Sequence, residues 1–139
     1  MPRYSRQCHY IAAYLRRHLP FIRNWDGQAT LAWVRWFIEH GRAIAITDGR
    51  KLVGVALIRL VDDTEQANEH YSDTGGKLAY IEVTACRDGL IPYLFTHFRR
   101  TFPLADRMAW VRSKYHNRPV STDMNKAERL FRIKPVTTL

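Results

Sequence analysis

Between Ser5 and His18 the apolar side chains Cys8, Ile11, Leu15 and Leu19 recur every three or four residues. Arg6, Arg16 and Arg17 fall elsewhere, which is the spacing of an amphipathic helix. Pro20 ends it. After the short connection Phe21–Trp25, Asp26 is a plausible N-cap for a second helix that carries Leu31, Val34, Phe37 and Ile38 and runs out at Gly41. The period then changes to that of strands, at 43–47 and again at 51–60. Asp48-Gly49 stands between them and tolerates the positive φ of a type I′ hairpin turn. A third strand is expected over 77–85, with Ala79, Ile81 and Val83 on one face and Leu78, Tyr80, Glu82 and Thr84 on the other.

Beyond Arg87-Asp88-Gly89, residues Leu94, Phe95, Phe98 and Phe102 have helical spacing, with Pro92 in the first turn and Pro103 just past the end. A fourth strand at 107–111, a polar loop at 113–123 and a last helix around Asn125–Arg132 complete the order. A helix crossing between the third and fourth strands makes those two parallel, on a sheet otherwise built from hairpin pairs. The expected class is therefore α/β, in the α+β sense.

A chain of 139 residues with 46% apolar side chains is expected to form one domain, residues 1–139, with a buried core. No apolar run approaches the roughly 20 residues of a membrane span, and the first residues do not resemble a secretion signal. A cytoplasmic location is expected. Cys8 and Cys86 have neither metal-ligand spacing nor the pattern of a disulfide framework, and are read as buried free thiols. The net charge of +9 is uneven. Residues 62–76 hold five acids and no Lys or Arg, which leaves 22 cationic side chains against eight acids, +14, over the rest. Such a surface attracts polyanions or acidic proteins.

Glu82 is the odd residue of a mostly apolar strand. A carboxylate buried there without compensation tends to have its pKa raised, which is what a general base needs near neutral pH. Pairing with a nearby Arg, or an exposed sheet face, would account for it equally well. The turn Cys86–Leu90 leads from a strand into a helix, where free N–H groups and the helix dipole can receive a phosphate. A single glycine there also has a purely steric explanation, and Pro92 removes one donor. No His-Glu-x-x-His pattern or compact ligand set is present, so no metal is expected, and no nucleophile elbow points to covalent catalysis. Tyr115, His116 and Asn117 follow the fourth strand as candidates for a general acid or a carrier contact, or as plain surface loop.

The segment IEVTACRDGLIPYLFTHFRRTFP resembles the GNAT-type N-acyltransferase fold, in which a strand, a phosphate-binding turn and a helix form the acyl-donor site. The resemblance implies a mixed, mostly antiparallel sheet with helices on both faces. It places Glu82 at the strand position that often bears the general base, and Val83, Cys86, Arg87, Asp88, Gly89 and Leu90 on the donor. The usual turn is shorter here, with Pro92 where a small residue is expected. A narrower similarity, over roughly 18–112, is to the RTX toxin-activating lysine acyltransferase family, which uses acyl carrier protein as donor. It rests on PFIRNW at 20–25, AIAITDGRKLVGVALI, Ile81-Glu82 and FRRTFP at 98–103. On that alignment Glu82 replaces a catalytic aspartate, and Ile22 stands where the family has its catalytic histidine. Three readings of Ile22 stay open: His18, one helical turn earlier, has taken over; a related enzyme works without a histidine; or catalysis has been lost. His18 is equally at home as a cation closing a helix C-terminus.

Two functions follow. The first is transfer of an acyl group from acyl-CoA or acyl carrier protein to a lysine or other amine. Glu82, His18 and Tyr115 are its catalytic candidates, with Asn117 and the Cys86–Leu90 turn on the donor. The second is a non-catalytic module whose basic face binds nucleic acid or an acidic protein. A homodimer stays open in either case.

Overall fold

The computed structural model describes residues 3–65, 72–112 and 118–130. Local capping sets the first two helices. Ser5 caps α1 (Arg6–His18), its Oγ accepting from the Cys8 N–H at 3.1 Å. Asp26 caps α2 (Gly27–Glu39), its Oδ2 accepting from the Ala29 N–H at 2.9 Å. Pro20–Ile22 makes one 3-10 turn between them. There follow β1 (Ala43–Asp48), β2 (Lys51–Val61), β3 (Leu78–Cys86), α3 (Ile91–Thr101), β4 (Arg107–Arg112), β5 (Arg118–Asp123) and α4 (Met124–Leu130).

The five strands lie in chain order in one sheet, antiparallel throughout except for the expected parallel pair β3/β4. Helices cover both faces. Ile44, Ile58 and Ala79 pack with Phe95 and Phe98 of α3, with Phe102 at its C-cap and with Ala127 of α4. Val55, Leu57 and Val83 pack with Ile11 and Leu15 of α1 and with Val34 and Phe37 of α2. Among the described residues no helix is long and apolar enough to cross a membrane.

Two local expectations are corrected. Asp48 pairs with Lys51, so the hairpin turn is Gly49-Arg50 rather than Asp48-Gly49, with Gly49 at φ +63° in the first central position that favours glycine. Residues 118–123, read as loop, form the edge strand β5 against β4, with Pro119 opposite Val111. Such a strand owes its existence to pairing rather than to apolar alternation, and an edge tolerates proline.

The end of the acidic stretch is pinned along the edge of β2. Thr74 N–H donates to the Leu60 carbonyl at 2.9 Å, and Asp73 Oδ2 accepts from the Leu60 N–H at 3.1 Å and from Arg42 Nε at 2.6 Å. Burial pushes the Asp73 carboxyl up, but the hydrogen bonds from Arg42, Leu60 and Gly75 outweigh it and hold the group below its ordinary value. A depressed carboxyl contributes stability above its unfolded pKa and loses it as pH falls through the folded one. Asp73→Asn is accordingly expected to lower stability by about 1–3 kcal/mol at neutral pH. Urea unfolding at a series of pH values should show that gap closing below about pH 4.

Candidate active site

Glu82 owes its direction to a break in strand register. Leu57 pairs with Val83 and Ile58 with Ile81, so Glu82 is the extra residue of a β-bulge on β3. The bulge reverses the alternation beyond it: Ala79 and Ile81 pack toward α3, whereas Val83 and Ala85 pack toward α1 and α2. The expectation that Ala79, Ile81 and Val83 share one face therefore fails at Val83. A period of two cannot survive an inserted residue.

At the same level β3 and β4 part. Their pairing runs from Leu78↔Arg107 to Ile81↔Trp110 and stops, leaving Glu82–Cys86 with no partner on the β4 side among the described residues. A cavity of about 810 Å³ occupies this opening. Its walls come from both faces of the sheet: Ile58, Leu94 and Phe98 on the α3 side, and Leu19, Phe21 and Val83 on the α1/α2 side. The cavity thus passes through the gap between the strands. Among the described residues of the lining, Tyr80, Glu82 and Thr84 are the polar ones and the others are apolar.

The Glu82 side chain is 27% exposed and forms an ion pair with Arg59 of β2, whose side chain is 4% exposed. Arg59 Nε donates to Glu82 Oε2 at 3.0 Å, and Nη2 lies 2.9 Å from the same oxygen. Glu82 is thus paired with an Arg, one of the alternatives, and also lines a cavity. The Arg59 guanidinium lies over the Tyr80 ring, 5.2 Å from its centroid. Burial pushes the Tyr80 phenol up, the Glu82 charge adds to this and Arg59 opposes it, so the hydroxyl stays protonated and able to donate at neutral pH.

The other candidates are less concentrated. The turn between β3 and α3 lies outside the cavity lining, which resumes at Ile91. Gly89 takes φ +82° there. The Arg87 N–H donates to the Val53 carbonyl at 2.9 Å and the Leu90 N–H to the Arg87 carbonyl at 3.1 Å, so two of the expected phosphate donors are already used. Among the described residues no side chain caps the start of α3. The exposed Arg87 side chain sits 3.4 Å from Asp48. Cys86 is a half-buried free thiol, pushed up by burial and then by Asp88. Cys8 is a buried free thiol whose Sγ donates to the Leu31 carbonyl at 3.3 Å.

His18 is exposed and rests against Tyr14 with ring centroids 4.2 Å apart, while its neighbours Leu19 and Phe21 reach the cavity. The sequence candidate is therefore not brought to Glu82. Ile22 is fully buried among the side chains of α1 and α2. Tyr115 and Asn117 lie outside the described residues. Arg59 and Tyr80 were not singled out from sequence. The available signal was Arg59 itself, a cation inside the apolar run KLVGVALIRL.

No protein-family model matches the chain, and no curated protein matches it in sequence. Among solved structures it is similar to the GNAT-like decarboxylase GphF in complex with isobutyryl-CoA, at 16% identity and a TM-score of 0.56. The similarity covers 78% of this chain and 64% of that one, so the chain spans less than two thirds of that protein's length. The mixed, largely antiparallel sheet flanked by helices is of the GNAT type.

Proposed function

We propose that residues 1–139 form one acyltransferase domain that moves an acyl group from a thioester to a lysine or other amine, with Glu82 as the base. The observation that carries this is the position of Glu82 in a bulge, beside a cavity that crosses the sheet where β3 and β4 separate. Strand edges freed by the departure of β4 hold N–H and C=O groups able to bind the amide-bearing arm of a thioester donor and to steady its carbonyl oxygen. An amine entering from the opposite side loses a proton to Glu82, and its nitrogen bonds to the carbonyl carbon. The C–S bond then breaks, and the departing thiolate takes up a proton. Tyr80 supports this last step as a protonated neighbour of Glu82.

The lining also bears on the acyl group. Ile58, Leu94, Phe95, Phe98 and Met108 give an apolar wall suited to a hydrocarbon chain. The donor arm is read as carried by an acidic carrier protein rather than as free coenzyme A. Two N–H groups of the β3–α3 turn are already bonded and Pro92 has none, which weakens a pyrophosphate seat. At the end of α1 the Arg16 guanidinium donates to the Arg23 carbonyl, and the Arg23 guanidinium donates to the Arg16 and Arg17 carbonyls. That is a basic surface beside Phe21 of the cavity wall. This reading agrees with the narrower similarity to toxin-activating lysine acyltransferases.

Thiol release from acyl carrier protein and acyl-CoA donors of increasing chain length is the direct test. Carrier-linked chains of eight or more carbons are expected to turn over at least about tenfold faster than acetyl, given about 0.8 kcal/mol for each CH2 buried. Equal rates would remove the assigned role of the apolar wall, and no turnover of any donor would remove the enzyme. The burial of Ile22 and the Arg59–Glu82 pair favour the rival, a non-catalytic module. In that case DNA or RNA affinity should fall steeply with salt and be unchanged in Glu82→Gln.

A further inference from the structure

We propose that Arg59 is a positioning residue that fixes which oxygen of Glu82 meets the substrate; the inference rests on the acyl-transfer reading above. A bulged residue has no cross-strand partner, so ladder pairing does not set the direction of its side chain. Glu82 is that residue. Both contacts from Arg59, Nε at 3.0 Å and Nη2 at 2.9 Å, fall on Oε2. Oε1 has no hydrogen-bond partner among the described residues, on a side chain that lines the cavity. One oxygen is therefore anchored and the other presented.

The anchor is itself held. Arg59 Nη1 donates to Ser72 Oγ at 3.0 Å, and its guanidinium lies 5.2 Å from the Tyr80 ring centroid. Ser72 immediately precedes Asp73, which binds Arg42 and the edge of β2. The planar, forked guanidinium can meet a carboxylate, a hydroxyl and a ring face at once. A lysine ammonium is a point charge on a flexible stem and cannot. The 3% exposure of Arg59 keeps water from replacing these contacts. Orientation is where such a residue acts, since a displacement of about 1 Å of a reacting group can lower a rate by about 100-fold.

The test is steady-state turnover of one acyl thioester by the wild-type chain, Arg59→Lys, Arg59→Ala, Ser72→Ala and Glu82→Gln, each first checked for folding by circular dichroism. Arg59→Lys is expected to lower kcat by about 10- to 100-fold with KM within about twofold of wild type. Arg59→Ala should be slower still and recover in part when guanidinium at millimolar concentration is added. Ser72→Ala should lower kcat by a smaller factor. An active wild type with inactive Glu82→Gln, alongside Arg59→Lys that matches wild type in both constants, overturns this inference and leaves the acyl-transfer reading standing. A folded Arg59→Ala that guanidinium does not restore also overturns it. If Arg59→Ala fails to fold, the kcat-against-KM split of Arg59→Lys decides. A wild type that turns over no thioester overturns both.

Discussion

Glu82→Gln is expected to lower kcat for acyl transfer by about 10²- to 10⁴-fold, the range attributable to a positioned general base, with little change in thioester affinity. The amide keeps the shape of the carboxyl and an oxygen that can accept from Arg59, so the cavity wall is preserved. What it loses is basicity. The amine then arrives with its proton and nowhere to leave it. The same substitution removes the charge that Glu82 sets against the 3%-exposed Arg59. Breaking a fully buried pair from one side costs about 3–5 kcal/mol, but Glu82 is 27% exposed, and Gln retains one hydrogen bond. The expected loss of stability is accordingly about 1–3 kcal/mol, that of an impaired hydrogen bond to a charged group. Urea unfolding and single-turnover kinetics on the same preparation separate the two effects. A folded Glu82→Gln with wild-type kcat would place the pair among structural contacts and leave the cavity without a base.

What could be read in advance follows the range of the interactions involved. The stripe Cys8, Ile11 and Leu15 on α1 and the Asp26 cap of α2 are local, settled within a few residues, and both are present in the fold. The parallel pairing of β3 with β4 follows from a helix placed between them and is equally legible. Glu82 stands out in a strand because a carboxylate is costly there, whatever compensates it. The compensation itself is not legible. Arg59 is 23 residues earlier and meets Glu82 only because β2 and β3 pair in a register that includes a bulge. That bulge also reverses Val83, which strict alternation put on the wrong face. β5 shows the same limit: Arg118–Asp123 has little apolar periodicity and becomes a strand because β4 offers an edge. His18 and the Cys86–Leu90 turn were named from spacing and resemblance, whereas orientation depends on packing. His18 rests on Tyr14, and two of the turn's N–H groups are already bonded, one to β2 and one within the turn itself.

Ile22→His puts the resemblance to lysine acyltransferases to its sharpest test, because it restores the residue type that family has at the aligned position. The structure assigns that position to the core. Ile22 is 0% exposed and packs in the cluster formed by Leu15, Val34, Phe37 and Leu57. Introducing an imidazole there removes about 1.5–3 kcal/mol of apolar burial and adds about 1–3 kcal/mol for a buried polar group without a partner. The sum, about 2.5–6 kcal/mol, is a large fraction of the 5–15 kcal/mol that holds a typical domain folded. The expected result is a marked fall in the urea midpoint, with no gain in thioester turnover, since Ile22 is not part of the cavity wall whereas its neighbour Phe21 is. The opposite result would be as informative. Near-wild-type stability together with raised turnover would mean that the Pro20–Ile22 turn can present residue 22 to the cavity. The site would then be built around a base at 22 and Glu82 together, with Arg59 serving to hold the second of them.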